Sequence, residues 1–146
     1  MKVITKKDVV FYINKEKGVV VAKPKDVRFL SKLLDDIVES FNFECLSEPT
    51  TVSGIFNSNF YNYCEKIEKT SLSGKAKCDM EKDVFDEEVG KTIAYNRLKV
   101  KVVRIIQKAI LEWLKDIRPD FEKIDKRLSK LYDIGFRASN EIEKYS

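Results

Sequence analysis

The sequence predicts an α+β fold: a small antiparallel sheet with an N-terminal helix, followed by two long C-terminal helices, assembled as a dimer or higher oligomer. Three observations lead there. β-Branched and aromatic runs flank a glycine-ended turn early in the chain. The stretch from Asp83 to Ile117 keeps helical periodicity throughout. About half the circumference of that helix is apolar, which asks for more than one neighbour. Residues 1–82 are expected to hold the sheet and its helix and residues 83–146 the long helices, within one structural domain overall.

Val9–Ile13 and Val19–Lys23 read as strands joined by Asn14-Lys15-Glu16-Lys17-Gly18, a connection suited to a hairpin. Pro24 stops the second strand. Asp26 is a plausible N-cap for a helix from Val27 to Phe41, where Phe29, Leu30, Leu33, Leu34, Ile37, Val38 and Phe41 form an apolar face. Residues 42–58 are turn-rich. Asn59–Thr70 and Gly74–Cys78 have the aromatic or alternating character of further strands.

Asp83 can cap the long helix, and Asp86, Glu87 and Glu88 load its first turn with charge that suits the helix dipole. Gly90, unfavourable inside a helix, permits close approach of a backbone or a ligand. Arg118 precedes Pro119 and is pushed out of α geometry, so the helix closes near Ile117. Pro119 then suits the first turn of a helix over Asp120–Asn140, with Phe121, Ile124, Leu128 and Leu131 on one face.

Three stripes run along the long helix. Arg97, Lys101, Arg104, Lys108 and Lys115 share one line. Val103, Ile106, Ile110, Trp113 and Ile117 make a heptad-like seam, and Leu98, Val102, Ile105 and Ala109 lie beside it. A helix of about 33 residues would be roughly 50 Å long, against a radius of gyration of about 15 Å for a compact chain of this length. Its seam is therefore expected to protrude and to pair with a second copy, unless the last helix folds back over it.

The chain has 146 residues, with 28 basic against 24 acidic, and its net charge of +4 is too small to argue nucleic-acid binding. No apolar run reaches the roughly 18 residues of a membrane span, and the N-terminus lacks the pattern of a secretory signal. Three widely spaced cysteines, Cys45, Cys64 and Cys78, suit reduced thiols in a cytosol. Histidine is absent. The commonest general base and a common metal ligand are thereby removed, so no catalytic residue, metal site or cofactor is assigned and the chain reads as a binder, not an enzyme.

The basic line asks for an anion. Between Tyr95 and Leu111 it is free of acidic residues, it holds two arginines suited to bidentate phosphate contact, and Tyr95 and Asn96 flank it. Candidate ligand-binding residues are Arg28, Phe85, Tyr95, Asn96, Arg97, Lys101 and Arg104. Phe85 offers an aromatic face at the helix start, and Arg28 opens the first helix, where a phosphate settles readily. Each has a plainer reading: a packing staple, a core tyrosine, a solvated charged face. The acidic cluster Asp83, Asp86, Glu87 and Glu88 lacks the alternating ligands of a hard-cation loop and reads as capping.

Residues 74–101, GKAKCDMEKDVFDEEVGKTIAYNRLKVK, carry a short strand with cysteine, an acidic linker and FDEExGKxxAxxR opening a long helix. This pattern resembles the first family of phage Thoeris anti-defence proteins, sponges that sequester the cyclic ADP-ribose signal of a bacterial TIR-domain enzyme. The resemblance implies a protein of the infected bacterial cytoplasm that holds a cyclic nucleotide at a dimer interface without degrading it. It further implies a dimer or hexamer with a second site for cyclic oligonucleotides. Phe85 for the adenine and Arg28 for the diphosphate match by type and place, Arg97 and Arg104 by type, and Tyr95 falls where a polar base contact belongs. A phage nucleic-acid-binding protein, or a proteinaceous inhibitor of a host defence enzyme, is the alternative.

Overall fold

In a computed structural model the described residues are 3–44, 59–68, 71–114 and 121–145. After a short 3-10 turn at Lys6–Asp8, the elements run β1 (Val9–Asn14), β2 (Val19–Pro24), α1 (Phe29–Glu44), α2 (Asn59–Glu68), β3 (Gly74–Lys77), α3 (Glu87–Leu114) and α4 (Phe121–Glu143). The class is α+β with a three-stranded antiparallel sheet, ordered β1-β2-β3. Among the described residues no helix is long and apolar enough to cross a membrane.

The chain divides into two compact units, and the division does not fall at residue 82. One unit holds Met1–Val27, Leu72–Val103 and Ile134–Ser146; the other holds Arg28–Ser71 and Arg104–Asp133. Both long helices therefore contribute to both units, which no linker composition signals.

In the first, the sheet unit, β2 is central: Tyr12 lies opposite Val21, and Val20 opposite Ala76. Gly18, at φ +61°, closes the hairpin, helped by an Asn14 Oδ1 that accepts from Lys17 N at 3.0 Å. Val20, Ala22 and Ala76 turn to the buried face, while Tyr12, Lys23, Lys75 and Lys77 turn away, as the twofold alternation of strands requires. The first part of α3 packs on that buried face. A Cβ on Gly74 would collide with the Ala94 carbonyl oxygen, and one on Gly90 would lie 2.7 Å from Val20 Cγ2. The two glycines let helix and sheet approach; the close neighbour at Gly90 is thus Val20.

The second, helical unit contains α1 packed on α2. Leu30, Leu34 and Ile67 are buried there. Two expectations are corrected in this unit. The helix begins at Phe29, with Arg28 supplying the first acceptor carbonyl to Lys32 N, so Arg28 and not Asp26 stands immediately before it; Val27 is 99% exposed. Asn59–Glu68 is a helix and not a strand. Its aromatic content favoured extended structure, but Tyr63, Cys64 and Ile67 share one face only at helical spacing, and Ile67 is buried.

The apolar seam of α3 is also corrected. Val103, Ile106 and Ile110 are 1%, 0% and 2% exposed within the single chain, so they do not lie in water awaiting a second copy. In the sheet unit, Gly135 of α4 lies so close to Val103 that an added Cβ would sit 3.3 Å from its Cγ1, as a folded-back last helix requires. Residues 42–58 beyond Glu44, together with Lys115, Ile117, Pro119 and Cys45, lie outside the described residues, as does the side chain of Trp113.

Candidate functional site

The site forms where β3 runs into α3. After Lys77 the chain makes a tight acidic loop: Asp83 N donates to Asp79 O at 2.9 Å, and Asp79 Oδ1 accepts from Glu81 N at 3.2 Å. The helix then starts at Glu87 under an aspartate cap. Asp86, not Asp83, is that cap, its Oδ1 accepting from Glu88 N at 3.0 Å and Val89 N at 3.2 Å. Glu87 is tied to Lys91 at 3.1 Å and to Lys15 of the hairpin at 3.5 Å. The hydrogen bond from Lys91 comes first in holding its carboxyl below the usual carboxylate range.

This arrangement walls a cleft of about 570 Å³ within the sheet unit. Phe85, Val89, Gly90, Ile93 and Arg97 line it from the helix side, Ala76, Lys77 and Cys78 from the strand end, Gly18 from the hairpin, and Asp79, Asp83, Val84 and Asp86 from the loop; Ile142 and Tyr145 complete it. Phe85 is half-buried, and its ring edge would lie 3.7 Å from a Cβ on Gly90. Among the described residues no group of histidine, cysteine, aspartate or glutamate is arranged to hold a metal ion.

Of the seven residues expected to bind a ligand, the cleft brings together Phe85 and Arg97. The other five are elsewhere. Tyr95 is 8% exposed and its hydroxyl donates to Ile4 O at 3.0 Å; burial, and secondarily Asp8, raises its pKa above the usual phenol value. Asn96 is buried and its Nδ2 donates to Thr92 O one turn back at 2.9 Å. Both are structural groups of the core. Lys101 donates to Ser73 O at 2.6 Å. Arg104 and Arg28 are exposed and belong to the helical unit.

The basic stripe has a structural explanation that periodicity alone cannot show. Arg97 Nη1 donates to Lys75 O at 2.6 Å, as Lys101 does to Ser73 O. Alternate residues of an antiparallel ladder turn their N–H and C=O away from the partner strand. The bond from Cys78 N to Gly18 O, 2.8 Å, makes Lys75 one of these outward residues. Four helical residues rise about 6 Å, and two strand residues about 6.6 Å. A basic pair at i and i+4 thus matches successive outward carbonyls on the free edge of β3 and covers an edge that would otherwise invite another strand. Farther along, Lys108 sits over the Tyr63 ring at 5.4 Å. Three members of the stripe are engaged in holding the fold.

Sequence reasoning missed Lys77, Cys78, Asp79 and the chain-terminal Ile142 and Tyr145 as neighbours of Phe85. Cys78 and the acidic linker stand directly before Phe85 in sequence, a signal that was available; Ile142 and Tyr145 come from 57 residues or more beyond it, and only tertiary packing brings them in. Compared with protein-family models, curated proteins and solved structures, the chain matches none of them.

Proposed function

We propose that this chain captures a phosphate-bearing nucleotide of the cyclic ADP-ribose type in the Phe85–Arg97 cleft and releases it chemically unchanged. The observation that carries this is the meeting of an aromatic face and a guanidinium in one cavity of about 570 Å³, within the range of small-ligand pockets. Phe85 supplies a stacking surface for a base. Arg97 has five N–H donors, of which one is engaged with Lys75 O, and the remainder suit a phosphate. The absence of histidine supports binding without turnover. A role as a phage anti-defence sponge in the host cytoplasm, acting as a dimer or hexamer, belongs to the resemblance of residues 74–101. Such an assembly would use a surface other than Val103, Ile106 and Ile110, already covered within the chain.

Calorimetry with cyclic ADP-ribose tests this. Phe85→Ala and Arg97→Ala should each weaken binding tenfold or more, as expected for a lost stacking surface or charge-assisted bond worth about 1.5–3 kcal/mol. Arg28→Ala should leave affinity within twofold, since Arg28 does not line the cleft. An equal loss in Arg28→Ala would move the pocket to one that includes the helical unit. Heat-denatured complex should release intact ligand by mass spectrometry; cleaved product in excess of protein would show an enzyme instead.

A further inference from the structure

The outer face of the sheet, turned away from α3, carries a chemistry that the cleft does not use. Tyr12, Val21 and Lys75 form one row across the three strands, and Asn14, Val19 and Lys77 form the next. Val10 and Lys23 stand opposite each other on the far side of Tyr12. Of these strand residues three are lysines and none is acidic, in a chain with 28 basic against 24 acidic residues. A solvated face ordinarily intersperses both signs. Asp8 and Asp79, just beyond the strand ends, are engaged by Thr5 and by Glu81 N with Lys82, and Glu16 in the hairpin turn is flanked by Lys15 and Lys17. At the centre is Tyr12, 57% exposed even with Lys23 Nζ at 5.7 Å from its ring centroid. Tyr63 and Tyr95 send their hydroxyls to backbone carbonyls; Tyr12 is open to solvent beside half-buried Val10, Val19 and Val21.

Neighbouring strands lie about 4.8 Å apart, so Lys75 stands about 10 Å across the sheet from Tyr12, with Lys77 about 6.6 Å further along β3. Cations therefore flank an open aromatic ring on two sides of one patch. The lysines ask for an anionic chain, and the ring asks for a flat apolar partner. A duplex answers only the first demand, because its bases stay stacked on one another, out of reach of a side-chain ring. An anionic peptide or a membrane likewise answers the lysines and leaves Tyr12 unexplained. A single strand answers both, its unstacked bases meeting the ring and its phosphates the lysines, as on other sheet faces that bind single strands. We infer that the outer face of the sheet binds single-stranded nucleic acid, with a base stacked on Tyr12 and the backbone held by Lys23, Lys75 and Lys77. The surface lies across the sheet from α3, and the inference stands apart from the nucleotide reading of the cleft.

Fluorescence anisotropy with a labelled oligothymidylate of about 12 nucleotides tests this over a range of salt. The unmodified protein should bind it, log affinity falling against log salt with a slope of about −2 for three phosphate contacts. Tyr12→Ala should weaken binding about tenfold and leave that slope unchanged, since stacking releases no counterions, while Tyr12→Phe keeps the affinity. Lys75→Gln combined with Lys77→Gln should weaken binding and flatten the slope by about 1.4. Both lysines are exposed, so this pair should unfold at the temperature of the unmodified protein even if Tyr12→Ala does not. Arg104→Gln, on α3 in the helical unit, should change affinity by less than about twofold. The inference is overturned by absence of binding at low salt, by a folded Tyr12→Ala variant that binds undiminished, or by equal affinity for a duplex of the same length. Preference for phosphatidylserine vesicles over the oligonucleotide would make the face a membrane surface instead. Displacement of the oligonucleotide by cyclic ADP-ribose would place the strand in the cleft and equally overturn it; failure of cyclic ADP-ribose to bind at all touches only the reading of the cleft.

Discussion

The two units each anchor one tyrosine in the same manner, yet their surface depressions differ in chemistry. In the sheet unit Tyr95 donates to Ile4 O at 3.0 Å and Lys99 lies over its ring at 5.8 Å; in the helical unit Tyr63 donates to Ile105 O at 3.4 Å and Lys108 lies over its ring at 5.4 Å. The pairing of tyrosine and lysine is thus a packing device, worth about 0.5–1 kcal/mol at an exposed cation–π contact. It marks no ligand. The depressions tell more. The helical unit has a groove of about 500 Å³ lined by Gln107, Leu111, Leu128, Ser129, Tyr132 and Asp133, with one charge in it. The cleft of the sheet unit has five charged residues in its lining. The two depressions are similar in size and differ in the charge of their linings.

The comparison breaks most easily in the cores. Ile106→Glu places a carboxylate at a position with 0% exposure, and stability should fall by about 4 kcal/mol or more in urea unfolding. A loss below about 0.5 kcal/mol would show instead that the seam faces solvent. In the sheet unit Gly74→Ala drives a methyl into the backbone of α3 at Ala94 and Leu98, with an expected loss of about 3 kcal/mol. Retention of full stability would mean that sheet and helix are not held at this distance.

The tyrosines sharpen it. Tyr95→Phe leaves the Ile4 carbonyl without its partner in a buried setting and should cost about 1–2 kcal/mol, more than Tyr63→Phe, whose bond is longer and half-exposed. Tyr63 makes a further, pH-dependent difference. Burial first, then Cys64 and Glu112, pushes its phenol from 10.0 up to about 12. Above the unfolded value the unfolded chain releases this proton and the folded chain retains it, so stability falls as pH rises from about 10 to about 12. Tyr63→Phe should flatten that part of the stability profile relative to the unmodified protein, in which lysine titration is common to both. Identical slopes would place the phenol in water.

The smallest effect concerns the covered strand edge. Lys101→Met removes one exposed donor to Ser73 O and should lower stability by less than about 1 kcal/mol. Its more sensitive readout is hydrogen exchange, which should quicken at the β3 edge and leave α1 and α2 unaffected. No change at β3 would show that Lys101 contributes nothing to holding the edge.

Local chemistry made much of this molecule legible in advance. Glycine and asparagine at a hairpin, alternating valines, and apolar residues stepping by three and four are imposed by backbone sterics and by the periods of strand and helix, so β1, β2, β3, α1, α3 and α4 follow from the residues themselves. Phe85 and Arg97 were visible as candidates because an aromatic at a helix start and an arginine on a helix face have few local duties. Tyr95, Asn96 and Lys101 looked the same, but they lie outside the cleft with polar atoms engaged by Ile4, Thr92 and Ser73; Arg97 lines the cleft although one of its donors is likewise taken, by Lys75 O. Tertiary structure alone decided which side chains were already engaged, since a hydrogen bond depends on a few tenths of an ångström and sequence separation does not record it. It also decided that Val103, Ile106 and Ile110 of the apolar seam are buried within one chain, because a helix with two apolar faces is satisfied equally by its own chain and by another, and only the path of the backbone chooses between them.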